Sequence, residues 1–192
     1  VTHKIEIIYP SLPEAFLGKN KAFNLQIANS PRKRPQEIEM IKFFFNSIYP
    51  QYRSVRWVPL ENISREEMAK KLQNSAIYIA LATKESLGLA NMEAMASGCH
   101  VVGYSGFPKD TPFFNSANGY WVEEANYVEF ARQLAKAISN YLLNDNSIPQ
   151  QAIKDIQAFL TYQNFESMAC SVYGNLFSFN SNKLSTNNHL PL

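Results

Sequence analysis

A chain of 192 residues can bury one substantial core, and a net charge of +2 argues neither for nor against an anionic partner such as nucleic acid. No apolar run approaches the roughly 18 residues that would suggest a membrane span. Cys99 and Cys170 are too few for a disulfide framework, so a reducing, cytoplasmic setting is expected.

In chain order, Lys4–Tyr9 and Phe23–Ala28 read as strands, separated by Lys19 and Lys21, which read as solvated charges. Val1-Thr2-His3-Lys4 leads straight into the first of them, without a signal-like segment or an initiator Met, as expected of a mature product or an excised fragment. Asn29–Pro35 is a proline-bounded loop carrying Arg32-Lys33-Arg34. Gln36–Ile48 then places Ile38, Ile41, Phe44, Phe45 and Ile48 at helical spacing, and Pro50 stops it. Val55–Val58 alternates like a strand. Ser64-Arg65-Glu66-Glu67 is a capping box that opens a helix to about Asn74, with Met68 and Leu72 facing inward. Ala76–Leu81 is a continuous apolar run suited to a strand covered on both faces. A helix at Leu89–Ser97 ends at Gly98, His100–Tyr104 is a second buried strand, and Tyr120–Val122 a short one. Asn126–Leu143, Ile148–Leu160 and Phe165–Phe177 read as helices, and the polar residues 178–192 as a disordered tail.

Strand–helix alternation of this kind predicts an α/β, Rossmann-like, three-layer fold over residues 1–177: a parallel sheet with helices on both faces. Such sheets bind ligands at the carboxyl ends of their strands, where the strand order reverses. Three loops fall there: Asn29–Pro35, Pro59–Ile63 and Thr83–Gly88. The sequence has no GxGxxG, Walker A, HExxH or CxxC pattern, which removes the usual support for dinucleotide, P-loop and metal sites.

Between Ser86 and Pro108 the only formal charge is Glu93, on a helix otherwise of small and apolar residues. Gly88 permits a tight entry into that helix. The unpaired amides of its first turn, near Leu89 and Ala90, form an anion site. Glu85 and Glu93 lie on either side of this start, and carboxylates so placed suit sugar hydroxyls rather than phosphate. Cys99 and His100 cannot act as a thiol–imidazole pair, because adjacent strand residues point to opposite faces. Met92, Met95, Trp57 and Trp121 read as packing residues.

The segment Glu85-Ser86-Leu87-Gly88-Leu89-Ala90-Asn91-Met92-Glu93 resembles the Glu-x7-Glu signature of a large family of retaining glycosyltransferases of the two-Rossmann, GT-B kind. The continuation Ala94-Met95-Ala96-Ser97-Gly98-Cys99-His100-Val101-Val102 stays in register, with His100 where proline is usual. Val55–Leu72 and Asn118–Val122 are similar to the flanking segments, so the likeness covers about Phe23 to Leu143.

That resemblance implies the C-terminal, donor-binding half of a GT-B fold. It makes Glu85 a catalytic residue that accepts hydrogen bonds from the donor sugar. Gly88 and Leu89, with Ser86 beside them, contact the diphosphate, Glu93 the ribose, and Leu60 lies near the base. Where the family has Gly-Arg, this chain has Ala28-Asn29, so the clamp on the diphosphate is expected from Arg32 and Arg34, with Lys33 beside them. Which of the three does so is open. The implied substrate is a UDP-, GDP- or ADP-sugar, handled without metal or other cofactor. The acceptor is expected on an absent N-terminal Rossmann domain, at a membrane surface in one version of this reading. Two alternatives stay open: a nucleotide-sugar epimerase on the same fold, and a degenerate, non-enzymatic Rossmann module.

Overall fold

The computed structural model describes residues 8–17, 24–85, 87–107, 111 and 113–185. These fall into two compact units, one of Pro13–Gln157 and the other of the segments up to Leu12 and from Ala158 onward. The larger unit contains five strands: β1 (Asn24–Asn29), β2 (Arg56–Pro59), β3 (Ser75–Ala82), β4 (His100–Ser105) and β5 (Tyr120–Trp121). All pair in parallel, in the order β2-β1-β3-β4-β5.

Helices α1 (Pro35–Ile48), α2 (Arg65–Gln73), α3 (Leu89–Ala96), α4 (Tyr127–Leu142) and α5 (Ser147–Phe159) follow the strands and the sheet. Alternation along the strands divides the core. Ile27, Ile77, Ile79, Val102 and Tyr104 pack with Ile38, Ile41 and Phe45 of α1 and with Phe130 and Leu134 of α4. Residues of opposite parity, such as Ala28, Tyr78 and Ala80, face the α2–α3 side. There Leu72, Met92 and Met95 are fully buried, as is Phe16 of a short 3-10 turn at Glu14–Phe16. The parallel three-layer fold expected from the sequence is therefore the fold adopted.

Local signals set most boundaries. The Ser64 hydroxyl accepts from the Glu67 N–H while the Glu67 carboxylate accepts from the Ser64 N–H, which completes the capping box. At the start of α4 the Asn126 side chain accepts from the Glu129 N–H. Cys99 Sγ turns to the Leu72 and Ser75 carbonyls, whereas His100 Nδ1 meets the Tyr120 hydroxyl, so the two do point apart.

Two expectations fall at the ends of the described residues. The strand placed at Lys4–Tyr9 lies mostly outside the described residues, and Ile8 and Tyr9 have no regular structure. In the smaller unit α6 spans Tyr162–Ser185, so the chain is still helical past Ser178, where the polar composition suggested a disordered tail. Among the described residues no helix is long and apolar enough to cross a membrane.

Candidate functional site

The chain leaves β1 for the edge strand β2, crosses back to β3 on the other side of β1, and continues outward to β4 and β5. The strand order thus reverses between β1 and β3. At this point the loops at the carboxyl ends of neighbouring strands diverge and leave a crevice.

Three loops meet around it. After β1, Pro31 starts a 3-10 turn and Pro35 starts α1, both at positions where a fixed φ and a missing N–H are tolerated. After β2, the Leu60 N–H donates to the Asn29 carbonyl at 2.7 Å, and Asn29 Nδ2 donates to the Val58 carbonyl at 3.5 Å. These bonds tie the two loop bases together. After β3, the chain turns through Gly88, at φ 76°, into α3. A Cβ at Gly88 would meet the Phe114 ring at 3.1 Å, so both conformation and space favour glycine.

Together the loops enclose a cavity of about 440 Å³ lined by Ser30, Arg32, Arg34, Leu60, Tyr78, Glu85, Gly88 and Leu89 among others. A wider cavity of about 920 Å³ adjoins it along the same sheet edge. It shares Ala82 and Glu85, and adds Lys84, Tyr104, Phe107, Phe114, Trp121 and Glu124. Glu85 stands where the two meet.

The expected site residues fare differently. Glu85, Gly88, Leu89, Leu60, Arg32 and Arg34 all reach the narrower cavity. Ser86 lies outside the described residues, and Lys33 is placed only by its backbone, in the 3-10 turn.

The two arginines are not equivalent. Arg34 pairs with both Glu37 and Glu124 and lies 5.9 Å from the Tyr104 ring centroid. Tyr104 in turn donates to Glu37 and accepts from the Ala125 N–H. Arg34 therefore has its charge already matched. Arg32 is exposed and, among the described residues, makes no ion pair, which leaves it as the cation free to meet a ligand.

Glu93 departs most from expectation. It lines neither cavity; its side chain is 5% exposed and its Oε1 accepts from Arg65, the first residue of α2. The Arg65 guanidinium also lies over the Phe16 ring at 5.7 Å. Burial raises the Glu93 pKa, and the bond and charge of Arg65 work against that rise. The helical spacing did place Glu93 one turn behind Leu89, but the start of α2 covers it there.

Tyr78 and Arg65 carry no sequence signal for the site. Tyr78 sits in an apolar run whose other members are core, and only strand parity sets it toward the α2–α3 side. Arg65 lies inside a capping box whose pattern concerns Ser64 and Glu67.

Chemically, the lining of the narrower cavity includes hydrogen-bond donors: Arg32, the Ser30 and Tyr78 hydroxyls, and the first-turn amides of α3. Glu85 and Glu61 add carboxylates. Donors of this kind match the oxygens of a phosphate or diphosphate.

A family model described as glycosyl transferases group 1 matches residues 55–155, more than half of the chain. The match includes Leu60, Arg65, Tyr78 and the segment Glu85–Glu93, but not Asn29 or Arg32–Arg34, whose placement rests on the fold alone. The chain is 38% identical over 184 residues to an alpha-1,6-glucosyltransferase of Actinobacillus pleuropneumoniae serotype 7 (strain AP76). That alignment covers 93% of this chain and 56% of the relative, so the chain spans little more than half of that protein. Among solved structures, it is similar to the C-terminal domain of a glycosyl transferase group 1 family protein (LpcC) from Francisella tularensis. There the TM-score is 0.57 at 19% identity, covering 83% of this chain and all of the other. It is also similar to S. aureus TarM, solved with UDP, fondaparinux and alpha-GlcNAc-glycerol. That comparison gives a TM-score of 0.66 at 16% identity, covering 90% of this chain and 40% of TarM. At such identities these two likenesses establish the GT-B-type fold.

Proposed function

Because the chain belongs to the glycosyl transferases group 1 family, we propose that it forms the donor-binding half of a retaining glycosyltransferase that uses a nucleoside-diphosphate sugar. The observation that carries this reading is the convergence of Arg32, the start of α3 and Glu85 on one cavity at the point where strand order reverses.

Cleavage of the sugar–diphosphate bond leaves the bonding electron pair, and negative charge, on the departing oxygen and positive character on the anomeric carbon. Arg32 holds diphosphate oxygens through charge-assisted bonds, and the amides of Leu89 and Ala90 already point toward that charge. With these donors the departure needs no divalent metal. Glu85, between the two cavities, accepts hydrogen bonds from hydroxyls of the donor sugar, which extends toward the wider one. Leu60 borders the base. Glu93, one turn behind Leu89, is assigned the ribose hydroxyls, a role that requires Arg65 at the start of α2 to uncover it. The alpha-1,6-glucosyltransferase relative makes a nucleoside-diphosphate glucose the first donor to test. The acceptor belongs to the other half of the enzyme, so this chain alone is expected to bind a donor and transfer little.

Calorimetric titration with UDP, GDP, ADP and their glucose conjugates tests this. At least one diphosphate is expected to bind, roughly 10- to 100-fold more weakly to Arg32→Ala, and more weakly to Glu93→Gln. Arg34→Ala should weaken it less, because Arg34 is already paired. Failure of the wild type to bind any of them at millimolar concentration would overturn the proposal.

A further inference from the structure

Tyr78 lies within β3 and is 3% exposed, yet it lines the narrower cavity. Its neighbours of the same strand parity are Ala76 and Ala80, both small. Its hydroxyl reaches the carboxyl end of β1, where it donates to Ser30 Oγ at 3.5 Å, the outer limit of a hydrogen bond. Buried phenol hydroxyls ordinarily make a well-formed bond. This one is stretched, and its partner Ser30 also lines the cavity.

Burial pushes the Tyr78 pKa up to about 12, and the charges of Glu93 and Glu85 contribute to the rise. The hydroxyl therefore keeps its proton at any working pH and can donate. The same cavity is lined by Ser30, Arg32 and the start of α3, which supply further donors, while Glu85 and Glu61 supply acceptors. A ligand rich in acceptor oxygens suits the donors. We infer that Tyr78, supported by Ser30, binds the diphosphate, its hydroxyl donating to a phosphate oxygen from the floor of the cavity. The inference rests on the donor-site reading and adds to it a neutral contact from the sheet.

The test uses Tyr78→Phe and Ser30→Ala, each titrated with three probes. These are the diphosphate that binds the wild type (UDP, GDP or ADP), its nucleoside, and inorganic pyrophosphate. Phenylalanine keeps the ring and its packing, so the unfolding midpoint of Tyr78→Phe should stay within a few degrees of wild type. Ser30 is only half-buried, and its replacement tests the same contact without touching the core. Tyr78→Phe is expected to weaken the nucleotide and pyrophosphate about 10-fold, leaving the nucleoside unchanged. Ser30→Ala should give a smaller loss with the same pattern. Equal weakening of nucleoside and diphosphate would place the contact at the ribose or base and overturn the assignment, as would unchanged binding of all three. If the wild type binds no nucleotide, the donor-site reading itself falls, a result distinct from either.

Discussion

At the scale of single residues, the Arg65–Glu93 pair shows how a side chain of expected role is held. Glu93 is buried, and its pKa is raised in the fold because desolvation outweighs Arg65. A carboxyl with a raised folded pKa binds more protons folded than unfolded. Its contribution to stability is complete below the unfolded pKa and is lost as pH rises through the folded one. Arg65→Ala removes the opposing cation, so the folded pKa climbs further and the penalty at neutral pH grows. The expected loss at pH 7 is about 1–3 kcal/mol in urea unfolding, below the range for a fully enclosed pair because Arg65 is 55% exposed. Near pH 4 most of that loss should vanish. An equal loss at both pH values would assign the effect to packing on Phe16 instead. Nucleotide affinity of this variant should likewise fall more steeply with decreasing pH than that of the wild type, since a protonated Glu93 accepts ribose hydroxyls poorly.

At the scale of elements, the short helix α3 couples stability to the site. Gly88 is its N-cap in the left-handed region, against the Phe114 ring. Gly88→Ala is expected to cost about 1–3 kcal/mol and to shift the amides of Leu89 and Ala90, so stability and nucleotide affinity fall together. Ser64→Ala supplies the contrast. It removes the cap of α2 and should cost about 1 kcal/mol, with a smaller change in affinity. Chemical denaturation and calorimetry on the two variants separate these effects. If Gly88→Ala binds as the wild type does, the α3 amides are not part of the site. The positions of α2 and α3 were readable beforehand, from the capping box and from Gly88 and Gly98, because caps and turns are local signals. The cover that α2 places over Glu93 was not, because it depends on how two helices pack on the same sheet face.

At the scale of the whole molecule, the core carries an acid-sensitive group in His100. Its ring is buried and burial lowers its pKa from 6.5 to about 4. Nδ1 meets the Tyr120 hydroxyl at 3.1 Å, and among the described residues Nε2 has no hydrogen-bond partner. Asn146 and the charge of Asp145 work against the shift, but Asn146 does not complete a bond to Nε2. The unfolded chain takes up this proton near pH 6.5 and the folded one only near pH 4. The stability present above pH 6.5 is therefore lost as pH falls through that window, by up to roughly 3 kcal/mol. His100→Leu should lower stability at pH 7, because Tyr120 loses a partner, and flatten the acid limb between pH 6.5 and 4. An unchanged slope would show that other groups govern acid unfolding. By itself, the sequence determined the strands and helices of the sheet, the parallel layering, and the three loops at the strand ends, because periodicity, caps and breakers act over a few residues. It also marked Glu85 and Gly88 through their spacing. Only the tertiary structure decided which polar side chains meet: Arg34 is matched by Glu124 across the site, Arg65 covers Glu93, and Tyr78 reaches Ser30. Those partners are distant in the chain. They are neighbours because the strands stand in the order β2-β1-β3-β4-β5, and no local pattern encodes that order.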